Sequence, residues 1–240
     1  YHPRFTEVDS HDLIIDYDAT YRSFGGVRPT IEGGDILVAS DELLLVGVSE
    51  RTNKEAIEYL AECLRGRTSF RTLVVVEMVK QRANMHLDTV FTLISNDECL
   101  VYPPMILSGG AQEARVYSLD LEARNLAYSI EDSLLDALSK RGIELRPIPC
   151  GGSDPVMQER EQWTDGANAF CLRPGVIVSY DRNRRTAEEL NRSGYEILPA
   201  DDLLSGKRKF DMDGTGKAVI QIWSNELSRA RGGPRCMTMP

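Results

Sequence analysis

The sequence has no Cys-x-x-Cys pair, no Gly-x-Gly-x-x-Gly and no phosphate-binding loop, and each absence removes a class of function. Its five cysteines, Cys63, Cys99, Cys150, Cys171 and Cys236, are an odd and scattered set. They point to neither a zinc ribbon nor a disulfide framework, and reduced thiols in a cytoplasmic setting are expected. Long apolar runs are also missing. The longest, Leu43 to Val46 and Leu73 to Val76, fall far short of the roughly 20 residues of a membrane-spanning helix, so no membrane association is expected. Positive charge is in deficit, with 28 Lys and Arg against 37 Asp and Glu and a net charge of −9. Such a field does not steer a protein onto nucleic acid, and the basic run Lys207 to Lys209 is too short to alter that. There is no secretory apolar segment, and the chain opens on Tyr1 rather than Met, so an upstream segment is expected.

What is present is the composition of a globular domain, 42% apolar and 27% charged over 240 residues. One plan recurs along it: a hairpin, a capped amphipathic helix and a returning strand. The first unit has strands ILVAS and ELLLVGVS about Ser40-Asp41, then a capping box, Thr52-Asn53-Lys54-Glu55. Its helix places Ile57, Leu60 and Leu64 on one face and stops at Gly66, before a strand from Thr72 to Met78. The second has a strand over Asp88 to Ile94 and a turn at Asn96-Asp97. After an insertion comes a helix capped by Ser129 that buries Ile130, Leu134, Leu135 and Leu138. The third turns at Pro174-Gly175, and the segment from 217 on resembles the opening of another. The expected modules span about 31–80, 85–150, 165–205 and 217–240. The repeat fits an α/β propeller and equally an ordinary mixed sheet with hairpin insertions.

Few side chains suit proton transfer or nucleophilic attack. Of three histidines, His86 stands two residues before Asp88 at a strand opening, where alternation puts both on one face. Gly33-Gly34 after Glu32 allows a bend or a close backbone approach. Cys236 follows Arg231-Gly232-Gly233-Pro234-Arg235, and neighbouring cations are expected to favour its thiolate, the nucleophilic form.

Read together, IEGGDILV, GVSERTN, MHLDTVFT, REQWTDGAN and RGGPRCMTMP resemble the arginine deiminase family over nearly the whole chain, in the C-terminal portion of that family's sequence. The resemblance implies a five-module, pentein-like α/β propeller, incomplete in this chain. It further implies hydrolysis of L-arginine to L-citrulline and ammonia in arginine catabolism, with no metal or organic cofactor. Carried over motif by motif, Cys236 is the nucleophile, His86 the proton shuttle and Glu32 the residue that orients it. Asp88 holds the guanidinium, and Arg51 and Arg231 bind the α-carboxylate.

The family's N-terminal modules, its helical insertion and a second guanidinium-binding aspartate in a TRDP-type context are absent from this sequence. The expectation is therefore double: an arginine deiminase that is inactive as this chain alone, or an incomplete fragment or paralogue serving as an arginine-binding or assembly domain. Open sheet edges and uncovered module faces make a homo-oligomer the expected state.

Overall fold

The structure, a computed structural model, describes residues 27–230 and 232–238. The strands form three mixed sheets, the first of which takes in two strands that lie in sequence between those of the second. The first begins with the hairpin β1 (Ile36–Ser40) and β2 (Leu43–Val48), continues through helix α1 (Lys54–Leu64) and returns as β3 (Thr72–Glu77), parallel to β2. The second repeats the scheme with β4 (Phe91–Leu93) and β5 (Glu98–Val101) antiparallel and β8 (Arg146–Pro149) parallel to β5. Between β5 and β8 the chain makes a short helix α2 (Pro103–Ile106), strands β6 (Arg115–Asp120) and β7 (Tyr128–Glu131), and helix α3 (Leu134–Ser139). Helix α4 (Pro155–Trp163) leads to the third sheet, with the hairpin β9 (Phe170–Arg173) and β10 (Val176–Tyr180), helix α5 (Arg184–Arg192), β11 (Glu196–Pro199), helix α6 (Ala200–Leu204) and β12 (Ala218–Ile222). Hairpin plus parallel strand is thus common to all three sheets, and the architecture is α/β.

Strand periodicity explains how the layers stack. On β2 and β3, Leu44, Val46, Val48, Leu73 and Val75 pack with Ile57, Leu60 and Leu64 of α1. The alternate residues Leu43, Leu45, Val74 and Val76 face Phe91, Cys99 and Val101 of the second sheet and Leu134 and Leu138 of α3. Leu100 and Ile148, on the far face of that sheet, pack with Ile177, Leu190 and Val219 of the third unit. The central strands of the first two sheets are therefore covered on both faces, which is why β2 is buried at all six positions. Among the described residues, no helix is long and apolar enough to cross a membrane.

Four local expectations are corrected. Helix α1 is capped by Asn53, whose side chain accepts from the Ala56 amide, because the Thr52 hydroxyl is committed to Asp35. Helix α3 is capped by Ser133 rather than Ser129. Residues 128–131 instead extend along β6, which leaves Ile130 84% exposed on an edge strand. The segment from Leu87 to Thr89 is a 3₁₀ turn, so the strand after His86 starts only at Phe91. The segment from 217 on supplies β12, which lies between β10 and β11 and is parallel to both, completing the third sheet rather than opening another.

Candidate active site

The first strands of the three sheets converge on one cleft of ≈ 670 Å³, lined by Ile36 to Val38 of β1, Thr92 and Leu93 of β4, and Phe170 and Cys171 of β9. Glu32, His86, Asp88, Arg235 and Cys236 stand in the same wall. Chain segments far apart in sequence thus bring a thiol, an imidazole and two carboxylates around an apolar floor.

Glu32 precedes a 3₁₀ turn over Gly33–Asp35, and its Oε2 lies 2.6 Å from His86 Nε2. This contact depends on glycine at 34, where a Cβ would come within 2.7 Å of the His86 ring. Gly34→Ala is expected to lower stability by about 1–3 kcal/mol, since ring or turn must shift to relieve the clash. Chemical denaturation measures this, and an unchanged midpoint would mean that the turn has slack. His86 caps the 3₁₀ turn that carries Asp88. The two reach the same cleft through that turn, and not through the strand alternation expected from their spacing.

Asp88 is 2% exposed, and its Oδ1 has no hydrogen-bond partner. Burial pushes its carboxyl up to about 6, against the pull of Arg235 and His86. Cys236 Sγ lies 3.9 Å from the other oxygen, Oδ2. The cationic neighbourhood expected for this cysteine does not lower its pKa. Desolvation of the thiol, with the Asp88 charge adding to it, pushes it up to about 11. That direction favours the neutral thiol over the thiolate. The buried Cys99 and Cys150 are pushed higher, to about 12, by the same desolvation.

Sequence reasoning assigned no role to two residues that seat the cysteine loop. Asn168 donates from Nδ2 to the Asp88 carbonyl at 3.2 Å and accepts the Arg235 amide on Oδ1 at 3.1 Å, joining the carboxylate's turn to the cysteine's. Asp165, in the left-handed region at φ 61°, accepts the Gly232 amide, while the Tyr180 hydroxyl donates to the Gly232 carbonyl at 2.7 Å. The available signal was the TDGAN motif, which holds both. Arg51 does not line the cleft. It stands half exposed at the rim, Nη1 3.5 Å from Glu32 Oε1. Arg231 lies outside the described residues.

A family model for arginine deiminase matches residues 1–240. Among curated relatives, the arginine deiminase of Bacillus cereus is 37% identical over 100% of this chain and 52% of its own length. That of Mycoplasma capricolum is 39% identical over 88% of this chain and 46% of its own. The chain thus spans about half the length of the curated relatives it matches. Among solved structures, a dimethylarginine dimethylaminohydrolase from Pseudomonas aeruginosa, complexed with citrulline, superposes with a TM-score of 0.50 and 18% identity over 92% of this chain and 62% of that one. An amidinotransferase of saxitoxin biosynthesis from Microseira wollei does so with a TM-score of 0.53 and 14% identity, over 88% and 47%. At such identities the likeness shows the fold alone. The family match extends over every residue of the sequence, and the chain belongs to the arginine deiminase family.

Proposed function

We propose that this chain carries the cysteine, histidine and carboxylate machinery of an arginine deiminase, which hydrolyses L-arginine to L-citrulline and ammonia through a covalent thiouronium. The observation that carries the reading is the Glu32–His86 pair at 2.6 Å in one cleft with the buried, half-unpartnered Asp88 and the Cys236 sulfur 3.9 Å from it. A guanidinium is planar and cationic, so it brings donors to the unpartnered Oδ1 of Asp88 and a cation into contact with its charge. Its arrival beside Cys236 also offsets what disfavours the thiolate.

In this mechanism the thiol proton passes to His86 as the substrate docks, and the thiolate attacks the guanidinium carbon. His86, oriented by Glu32, gives that proton to a terminal nitrogen, which leaves as ammonia, and a thiouronium remains on Cys236. His86 then takes a proton from water as the oxygen adds to the same carbon. Collapse expels the sulfur and releases citrulline. Arg51 and Arg231 bind the α-carboxylate.

The three first strands meeting at the cleft support a propeller, with the site on its axis and three hairpin-helix-strand modules supplied here. The edge strand β7, with Ile130 in solvent, supports self-association. The five free thiols support a cytoplasmic setting.

Citrulline formation from L-arginine, run beside Arg51→Ala and with agmatine as comparator, tests the reading. The expected result is turnover of arginine over agmatine, with KM for arginine raised at least about tenfold in the variant and kcat little changed. Kinetics unchanged by Arg51→Ala would remove that assignment. Of the carboxylates that line the cleft with Cys236 among the described residues, only Asp88 is buried, which favours a second reading, an arginine-binding domain without turnover. Saturable arginine binding without citrulline would select it.

A further inference from the structure

The proposed chemistry does not use Asp35, yet this carboxylate is fully buried between the first two units. Its Oδ2 accepts the hydroxyls of Ser49 and Thr52, each at 2.6 Å, and its Oδ1 accepts the Leu87 amide at 2.9 Å. Each partner leads directly to a site residue. Ser49 Oγ accepts the Arg51 amide at 3.0 Å and the Thr52 amide at 3.2 Å, which fixes the loop that presents Arg51. Thr52 Oγ1 accepts the Glu32 amide at 3.1 Å. Leu87 is the residue after His86.

We propose that Asp35 is the positioning residue of this site, one buried carboxylate that holds the backbones of Glu32, Arg51 and His86 in register, a role that rests on the arginine deiminase reading. The argument is one of donors and acceptors. A hydroxyl has one proton to give. Ser49 Oγ already accepts two amides and Thr52 Oγ1 one, so both protons turn toward Asp35, and only an acceptor can stand there. The Leu87 amide adds a third donor. A carboxylate is the side chain that accepts from all three at once, and these bonds oppose, without cancelling, the burial that raises its pKa. An asparagine would set an NH2 group against at least one donor. The packing is cut to the same shape, because a Cβ at Gly47 of β2 would strike Asp35 and come within 3.0 Å of Leu87.

The test compares Asp35→Asn, Thr52→Val and Thr52→Ser with the wild-type protein. Thr52→Val keeps the shape and removes the hydroxyl, so it carries the experiment if Asp35→Asn does not fold. Thr52→Ser restores the hydroxyl. Two readouts are taken: kcat and KM for arginine, and the rate at which diethylpyrocarbonate modifies His86, followed by peptide mass, with His2 and His11 as internal references. The expected result is a kcat lowered at least tenfold in Asp35→Asn and Thr52→Val with KM changed less. His86 modification, slowed in the wild type by the Glu32 contact, is accelerated at least threefold in both. Thr52→Ser returns both values to within about twofold. Folded Thr52→Val with wild-type kcat and wild-type His86 reactivity would overturn the proposal. If the wild-type protein makes no citrulline, the functional reading fails, and the modification rates still decide the placement of His86.

Discussion

Cys236→Ser is expected to leave the fold unchanged and to lower citrulline formation by at least about four orders of magnitude. Serine is close to cysteine in size and Cys236 belongs to the cleft wall and to no core cluster, so the exchange is expected to alter stability by no more than about 0.5 kcal/mol. The reaction, by contrast, loses its nucleophile, since a serine hydroxyl in the same place is far less acidic than a thiol. The thiol offers a finer check. With a pKa pushed up to about 11, only about one molecule in ten thousand carries a thiolate at pH 7. Alkylation by neutral iodoacetamide should therefore be slow near neutrality and climb about tenfold per pH unit. Chloroacetamidine carries its own cation to Asp88 and should label Cys236 much faster at pH 7, giving a mass increase that Cys236→Ser lacks. Equal rates for the two reagents would contradict the idea that the substrate's charge activates the sulfur.

Asp88→Asn is expected to remove activity and to stabilise the protein. The carboxyl is raised from 3.8 to about 6, chiefly by burial. Between those values the folded chain keeps a proton that the unfolded chain has released, so stability falls as pH rises through that window. Above about pH 6 the full penalty is present, up to about 3 kcal/mol for a shift of this size. Asparagine cannot ionise and removes it, so the melting temperature at pH 7 should rise by roughly 5–10 °C, while at pH 4 the two proteins should melt close together. Over the same range kcat/KM for arginine loses its anionic anchor and falls by at least about a thousandfold. Wild-type kcat/KM should itself decline as pH drops below about 6, where Asp88 takes up its proton. A variant less stable than wild type at pH 7 would mean that the carboxylate, ionised, is held by contacts not seen here.

The residues facing the cleft were legible because each sits in a short motif with its own composition. Glu32 precedes a glycine pair, His86 and Asp88 stand two residues apart, and Cys236 follows a glycine-rich loop. The hairpins were legible too, through alternation and the turn at Pro174-Gly175, where Gly175 adopts φ 81°. What escaped depends on groups distant in sequence. The arginines beside Cys236 suggested an acidic thiol. Its ionisation is set instead by desolvation and by a carboxylate 148 residues away. Thr52 reads as a helix cap until Asp35, 17 residues earlier, claims its hydroxyl. Asn168 joins Asp88 to the cysteine loop across 80 and 67 residues, a link with no local signature. Ser129 and Ile130 resemble a helix start because the pairing of β7 with β6 is a tertiary fact.

The excursion of β6 and β7 carries a topological consequence. Chain that belongs by sequence to the second unit completes the sheet of the first, with β6 antiparallel to β3 over all six residues from Thr72 to Glu77. The first two units are therefore interlocked and not strung in series. Severing the backbone after β3 and before His86 would give no independently closed halves, for the upstream piece would leave β3 unpaired along one edge and the downstream piece would trail a hairpin without its template. Glu32 on one side of that cut and His86 on the other are kept together by this exchange of strands as well as by the bonds between them.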